Sequence, residues 1–195
     1  MSDPAGPPRP WTTLESETLI ERWWMTLRQD RIRLPTGKVL DEYHVVEYPD
    51  WACVLALTDE GQAVLVEQYR YGIDRTILEL PAGMIDAGED ALEAAQRELL
   101  EETGFEGAEW HPLGKLGVEP GRHSNYGHVF VARGCRRVAR PDLDATEDLR
   151  VRIVPASTLV GRIEAGEIVH GIHVAAVFWA LAQGWLAEPD PVGRV

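Results

Sequence analysis

The chain is poor in cysteine and in positive charge, and it lacks a long uninterrupted apolar segment. Cys53 and Cys135 are its two cysteines among 195 residues, too few for a disulfide framework, so we expect a reducing, cytoplasmic location. Its 19 Lys and Arg residues face 32 Asp and Glu residues, for a formal net charge of −13. This imbalance argues against nucleic acid or an anionic membrane as the main partner.

The longest apolar run, near residues 174–187, is broken by Gln183 and Gly184 and is too short to span a bilayer. We therefore expect a helix of a water-soluble domain there. Free nucleotides are a better fit to the composition than nucleic acids or lipids.

The order of apolar and polar residues predicts an α/β protein. Strand-like alternation marks two hairpins, and three further strands and two helices follow the central helix described below. The predicted strands are residues 23–33, 39–46, 52–57, 62–68, 110–118, 126–132 and 149–154, and the predicted late helices are residues 159–165 and 173–183. This order fits an α/β/α sandwich around a mixed β-sheet with an N-terminal antiparallel hairpin extension.

The most informative segment is residues 83–105, which read Gly-x5-Glu-x7-Arg-Glu-Leu-x-Glu-Glu-x-Gly-Phe. Residues 90–103 lack Pro and Gly and are rich in strong helix formers, so they predict a helix. Glu98, Glu101 and Glu102 lie close together on one side of this helix. Glu98 and Glu102, four residues apart, repel each other there. A hard cation such as Mg²⁺ or Mn²⁺ would reverse that repulsion.

The residues that flank the helix argue against a merely solvated acidic face. Gly83 and Gly88 bracket the connection into the helix and allow the chain to bring Glu89 near the acidic side. Gly104 stands where a left-handed residue closes a helix. Arg97 lies four residues before Glu101 and is expected to bind that carboxylate, leaving Glu98 and Glu102 for metal.

This segment matches the Nudix box without a substitution, so the chain resembles the Nudix hydrolases. Within that superfamily it resembles the ADP-ribose pyrophosphatase branch. The features that carry this finer resemblance are residues 64–71, residues 78–83, the pair Pro120 and Gly121, and residues 146–152. The proline and glycine content of the first residues predicts a flexible tail over residues 1–10. The resemblance implies a dimer-forming hairpin region over residues 11–50 and a Nudix hydrolase domain over residues 51–195.

The resemblance also implies roles for individual residues. Metal would be held by Glu98, Glu102, Glu147 and the backbone carbonyl of Ala82. Catalytic roles are expected for Glu147, Glu101 and Arg97. Substrate contacts are expected for Trp23, Trp24, Arg70, Glu79, Met84 and Ser124.

Two departures from the branch leave alternatives open. Asn125 follows Ser124 where relatives carry a carboxylate, which leaves the second half of the substrate open. Ala145 stands two residues before Glu147, at the position of the expected base. Asp144 or Asp148 can substitute, or Glu147 can serve alone, since catalytic loops commonly order only around substrate.

Trp23 and Trp24 have two interpretations, as core or interface anchors or as platforms for adenine. The resemblance implies a homodimer in which one of them enters the pocket. The pair His170 and His173 has a spacing compatible with metal, but without a further ligand nearby we expect helix-end or core packing.

The expected activity is Mg²⁺- or Mn²⁺-dependent hydrolysis of ADP-ribose or a related nucleoside diphosphate sugar, giving a nucleoside monophosphate and a sugar phosphate. A pyrophosphatase for GDP-mannose or a dinucleotide is the alternative among enzymes. A non-catalytic sensor of nucleotide sugars is a third possibility, disfavoured because every carboxylate of the box is present.

Overall fold

The structure is a computed structural model that describes residues 7–187. Its contacts divide the chain into two compact units. Of the described residues, the first unit contains those up to Pro49 together with Glu119–Asn125, and the second contains Asp50–Val118 and those from Tyr126 onward. None of the helices within residues 7–187 is both long and apolar enough to cross a membrane.

The first unit is a three-stranded antiparallel sheet in the order β1-β2-β3. Its strands are β1 (Thr12–Arg22), β2 (Met25–Arg33) and β3 (Val39–Glu47). Trp23 and Trp24 form the tight turn between β1 and β2, where Arg22 pairs with Met25. The loop Glu119–Asn125 adds a parallel bridge from His123 to Val46.

The second unit is built on a seven-stranded mixed sheet in the order β12-β5-β4-β10-β9, with β6 paired to β5 and β7 paired to β4. Parallel pairing of β10 with β4 makes the sheet mixed. A small sheet joins β8 to β11. The strands are β4 (Trp51–Leu57), β5 (Gln62–Arg70), β6 (Arg75–Glu79), β7 (Ala82–Met84), β8 (Phe105–Glu106), β9 (Glu109–Gly117), β10 (Tyr126–Arg133), β11 (Arg136–Arg137) and β12 (Leu149–Pro155).

Helices cover both faces of the large sheet. The helices are α1 (Ala91–Thr103), α2 (Leu159–Glu164) and α3 (Gly171–Ala182). Buried side chains of α1, including Ala95 and Leu99, pack with Val54 on one face. Leu159 of α2 and Val177 of α3 pack on the other face in a second cluster. Successive side chains of each central strand point to opposite faces of the sheet and so fill two cores, as expected for a sheet between two helical layers.

Both ends of α1 are fixed by local chemistry. At the N-terminus, the Asp90 carboxylate accepts from the Leu92 N–H at 2.8 Å, and the Glu93 carboxylate accepts from the Asp90 N–H at 3.4 Å. This is a capping box. At the C-terminus Gly104 has φ +74°, and its N–H donates to the Leu100 carbonyl at 2.7 Å. The acidic side chains of α1 are therefore held in a fixed register.

The predicted fold class is confirmed, as are the central helix, the two hairpins and the late strands and helices, all to within two residues at their ends. Three features differ. The N-terminal extension has three strands because Thr12–Arg22 adds to the hairpin. Four short strands were not predicted, namely Arg75–Glu79, Ala82–Met84, Phe105–Glu106 and Arg136–Arg137. Trp23 and Trp24 lie in a turn rather than in a strand.

The predicted tail falls largely outside the described residues. Residues 7–10 are exposed and form no helix or strand. The division at residues 11–50 and 51–195 stays a prediction.

Candidate active site

The carboxylate of Glu98 lies directly against the backbone of Gly83. A Cβ atom on Gly83 would lie 2.1 Å from the Glu98 carboxyl carbon, so glycine is the residue that leaves room for this side chain. Glu98 is 8 % exposed. Burial raises its pKa, which the nearby Arg97 opposes. The packing of Glu98 therefore explains why the first position of the motif is a glycine.

Glu102, one turn further along α1, is buried against the same strand. Its Oε2 accepts from the N–H of Ala82 at 3.0 Å. Burial, followed by the charge of Glu98, raises the pKa of Glu102 to about 9, and the nearby Glu147 and Glu79 add to the effect. A buried carboxylate among acidic neighbours is an environment that a divalent cation stabilises.

Arg97 links several groups of the motif through hydrogen bonds. Its guanidinium donates to Glu89 at 2.9 and 3.0 Å, to Glu101 at 3.1 Å and to the backbone carbonyl of Met84 at 2.9 Å. It also donates to Glu98 Oε1 at 2.7 Å. The spacing predicted the bond to Glu101 but not the one to Glu98. Arg97 thus binds Glu98 in this geometry as well as fixing the loop before α1.

A cavity of about 180 Å³ opens beside these groups. It is lined by Arg97, Glu98, Glu101, Asp142, Leu143, Asp144 and Glu147. The predicted late loop therefore reaches the acidic side of α1, as the resemblance implied. The N–H of Asp142 donates to the Glu101 carbonyl at 2.8 Å and fixes the start of this loop. Asp142 and Leu143 were not among the predicted site residues.

Within the loop, the Glu147 side chain is turned toward the backbone of Asp144. Its Oε2 accepts from the Asp144 N–H at 3.0 Å, and its N–H donates to the Asp144 carbonyl at 2.9 Å. Within residues 7–187, no group of three or more His, Cys, Asp or Glu side chains is already arranged to hold a metal ion. The predicted metal ligands Glu98, Glu102 and Glu147 are neighbours in this structure, and their joint coordination stays a prediction.

Arg70 and Glu79 form a second charged pair. Arg70 donates to Glu79 Oε2 at 2.8 Å from Nε, and its Nη2 lies 2.7 Å from the same oxygen. Glu79 is fully buried, and among the described residues its Oε1 has no hydrogen-bond partner. In this conformation Glu79 holds Arg70, whose side chain is half exposed and is free to meet an anionic group.

The other predicted substrate residues are distributed over both units. Met84 is exposed on β7 beside the acidic site, whereas Trp23, Trp24 and Ser124 belong to the first unit. The N–H of Ser124 donates to the Val46 carbonyl at 3.2 Å. Asn125, the departure from the branch, is buried and donates to the Pro49 carbonyl at 3.1 Å.

The pair His170 and His173 packs at the start of α3, as expected. The two rings stack with centroids 4.3 Å apart, and His170 makes an edge-to-face contact with Trp51. His173 is buried, and its Nδ1 accepts from the Leu80 N–H at 3.3 Å. Their packing role is confirmed, but the bond to a residue 93 positions away was not predictable from local spacing.

Comparisons with known proteins agree with this geometry. Residues 47–171 match the family model described as NUDIX domain, and residues 11–46 match the nucleoside diphosphate sugar hydrolase N-terminal domain. The chain is 36 % identical over 184 residues to an ADP-ribose pyrophosphatase of Mycobacterium tuberculosis, covering 92 % of this chain and 88 % of that protein.

A second relative and a solved structure point the same way. An ADP-ribose pyrophosphatase of Bacillus subtilis is 31 % identical, covering 80 % of this chain and 84 % of its own. The crystal structure of an ADP compounds hydrolase superposes with a TM-score of 0.80 at 24 % identity, covering 92 % of this chain and 99 % of that chain, which establishes the shared fold.

Proposed function

Because the chain belongs to the Nudix family, we propose that it hydrolyses the diphosphate bond of ADP-ribose or a related nucleoside diphosphate sugar. The products would be AMP, or another nucleoside monophosphate, and a sugar phosphate. The observation that carries the proposal is the pair of buried carboxylates, Glu98 and Glu102, packed against Ala82 and Gly83. Relatives with the printed name ADP-ribose pyrophosphatase support the choice of substrate.

Nudix enzymes use divalent cations, and the residues here fit Mg²⁺ or Mn²⁺. Glu98, Glu102, Glu147 and the carbonyl of Ala82 would hold the cation, since all are oxygen ligands. Bound there, it would offset the charge of the diphosphate and lower the pKa of an attacking water. The net charge of −13 disfavours an anionic substrate overall, and a bound cation would offset that repulsion.

The chain's own residues position the reaction. Arg97 fixes Glu98, Glu101 and the Met84 carbonyl in one network. Arg70, held by the buried Glu79, would bind the phosphates. Glu147 would accept the proton of the attacking water, because its loop lines the cavity beside Glu98 and Glu101.

We propose further that the protein acts as a cytoplasmic homodimer. In the turn after β1, Trp23 is 83 % exposed and Trp24 is 42 % exposed. Trp11, just before β1, and Leu19 and Ile20 within it add further exposed apolar surface. An exposed apolar area of this kind is typical of an interface. Trp23 or Trp24 would then contact the nucleobase. The two buried free thiols support a reducing compartment.

A product assay over a panel of substrates tests this function. ADP-ribose, GDP-mannose and a dinucleotide are incubated with Mg²⁺ or Mn²⁺, and the products are separated chromatographically. We expect AMP and ribose 5-phosphate from ADP-ribose at the highest kcat/KM. Preferred cleavage of GDP-mannose or the dinucleotide would reassign the substrate, and binding without cleavage of any of them would indicate a sensor.

A further inference from the structure

A short bend connects the two halves of the proposed site. β6 ends at Glu79, which holds Arg70, and β7 begins at Ala82, whose N–H donates to Glu102. Leu80 and Pro81 lie between them. The position of this bend therefore sets both the Arg70 pair and the backbone beneath the α1 carboxylates.

The backbone groups of the bend depend on partners from other elements. The ladder between β5 and β6 ends at Glu79, so the next N–H, that of Leu80, has no strand partner. Leu80 is 1 % exposed, and a buried N–H needs an acceptor. That acceptor is Nδ1 of His173 at 3.3 Å. Pro81 has no N–H, and its carbonyl accepts from Val54 at 2.9 Å.

The edge of β6 that faces away from β5 has two hydrogen-bond partners, one from the chain just before α3 and one from α3 itself. The N–H of Leu78 donates to the Glu167 carbonyl at 2.8 Å, and Leu80, two residues later, points its N–H to the same edge. His173 cannot turn freely to another partner, because it is buried and stacked on His170. Its Nδ1 is thus held at the bend.

The other ring nitrogen strengthens the argument. Nε2 of His173 is buried and, among the described residues, has no hydrogen-bond partner. An apolar side chain of similar size would avoid that cost but would leave the Leu80 N–H without an acceptor. The imidazole is therefore explained by the bond to Leu80 rather than by space filling.

We propose that His173 is a positioning residue of the hydrolytic site, which fixes the bend at Leu80 and Pro81 and so aligns Ala82 with Glu102 and Glu79 with Arg70. The inference rests on the proposed function, because it assigns His173 a role toward that site. His173 touches neither substrate nor metal and acts through the backbone.

Two amide variants separate the acceptor from the bulk of the ring. In His173→Asn the Oδ1 atom takes nearly the place of Nδ1, whereas in His173→Gln the oxygen lies nearer the place of Nε2. We expect His173→Asn to keep the Mn²⁺ affinity and kcat of the unmodified protein. We expect His173→Gln to bind Mn²⁺ about 10- to 100-fold more weakly, as for other residues that orient metal ligands, and to lose kcat. Mn²⁺ binding is measured by electron paramagnetic resonance, and folding by circular dichroism.

His170→Phe is the matched control, because it keeps an aromatic ring stacked on His173 and leaves the Leu80 bond untouched, and it should keep its Mn²⁺ affinity. The inference is overturned if His173→Gln binds Mn²⁺ and turns over like the unmodified protein, or if folded His173→Asn loses as much as His173→Gln. If His173→Gln does not fold, the inference is overturned when folded His173→Asn loses Mn²⁺ affinity or kcat, and supported when His173→Asn keeps both. An unmodified protein that neither binds Mn²⁺ nor cleaves a nucleotide sugar would instead refute the proposed function, and this inference with it.

Discussion

At the residue scale, Gly83 shows most clearly how one position controls the acidic site. Its missing side chain leaves the space that the Glu98 carboxylate occupies. The group that would be displaced is the end of a flexible side chain, which can swing away at small cost to the fold. Substitution of Gly83 is therefore expected to affect chemistry more than stability.

We predict that Gly83→Ala lowers kcat/KM by about 100-fold, because a misplacement of about 1 Å at a catalytic group has an effect of that size. Steady-state hydrolysis of ADP-ribose measures it, with thermal unfolding as the check on the fold. Gly161→Ala in α2 is the control, since its Cβ would meet nothing within 4 Å. Unchanged activity in Gly83→Ala would contradict the placement of Glu98.

The buried His173 gives a second prediction at this scale. Burial, and then the nearby His170 and Arg70, hold its pKa well below the usual 6.5. The unfolded chain therefore takes up a proton near pH 6.5 that the folded protein does not. Stability from this residue is complete above that pH and falls as the solution becomes more acidic, by up to about 1.4 kcal/mol per pH unit.

The measurement is urea unfolding between pH 7.5 and 5 for the unmodified protein and for His173→Asn, which does not titrate. The difference in unfolding free energy should move in favour of the variant as the pH falls. A difference that does not change with pH would show that His173 binds its proton equally well in the folded protein and in the unfolded chain.

At the scale of elements, the proposed chemistry depends on the helix α1 and the loop before β12. The loop is attached to α1 through the Asp142 N–H and the Glu101 carbonyl. Glu147 closes it by bonding Asp144. The loop thus holds Glu147 beside the cavity, while Asp148 is exposed and is absent from the cavity lining.

We predict that Glu147→Gln lowers kcat by about 10²- to 10⁴-fold, the range for loss of a general base. Asp148→Asn should have a much smaller effect. Both are compared by single-turnover hydrolysis of ADP-ribose at saturating Mg²⁺. A larger loss in Asp148→Asn, or in Asp144→Asn, would move the base to that residue.

The elements also show what sequence can and cannot predict. The helix α1 was predictable because its composition, its capping residue Asp90 and its closing Gly104 all agree. Thr12–Arg22 was missed because it is exposed on both faces and has no apolar alternation. Ala82–Met84 was missed because three residues after a proline carry little strand signal.

The same contrast holds within the site. The buried Glu98 and Glu102 and the bond from Arg97 to Glu101 were predictable from a spacing that lies within one helix. The pair of Asp142 with Glu101 and the bond from Leu80 to His173 join residues far apart in the sequence. Such contacts depend on tertiary packing, which no local pattern encodes.

At the scale of the whole molecule, the exposed aromatic turn of the first unit predicts association. Trp23→Ser is expected to weaken the homodimer by about 30-fold in Kd, the factor for a tryptophan at the centre of an interface. Sedimentation equilibrium measures this, with Phe178→Ser as a control for loss of an exposed aromatic from α3. A monomeric unmodified protein, or an equal effect of both variants, would contradict the proposed interface.

Titration of Mn²⁺ into the unmodified protein and into the double variant Glu98→Gln, Glu102→Gln, followed by electron paramagnetic resonance, decides whether α1 and Ala82 form a cation site. We expect saturable binding in the unmodified protein and its loss in the double variant, which should stay folded because both substitutions keep the shape of the side chains. Equal binding by the two proteins, or none by either, would contradict a metal-dependent hydrolase built on these two carboxylates.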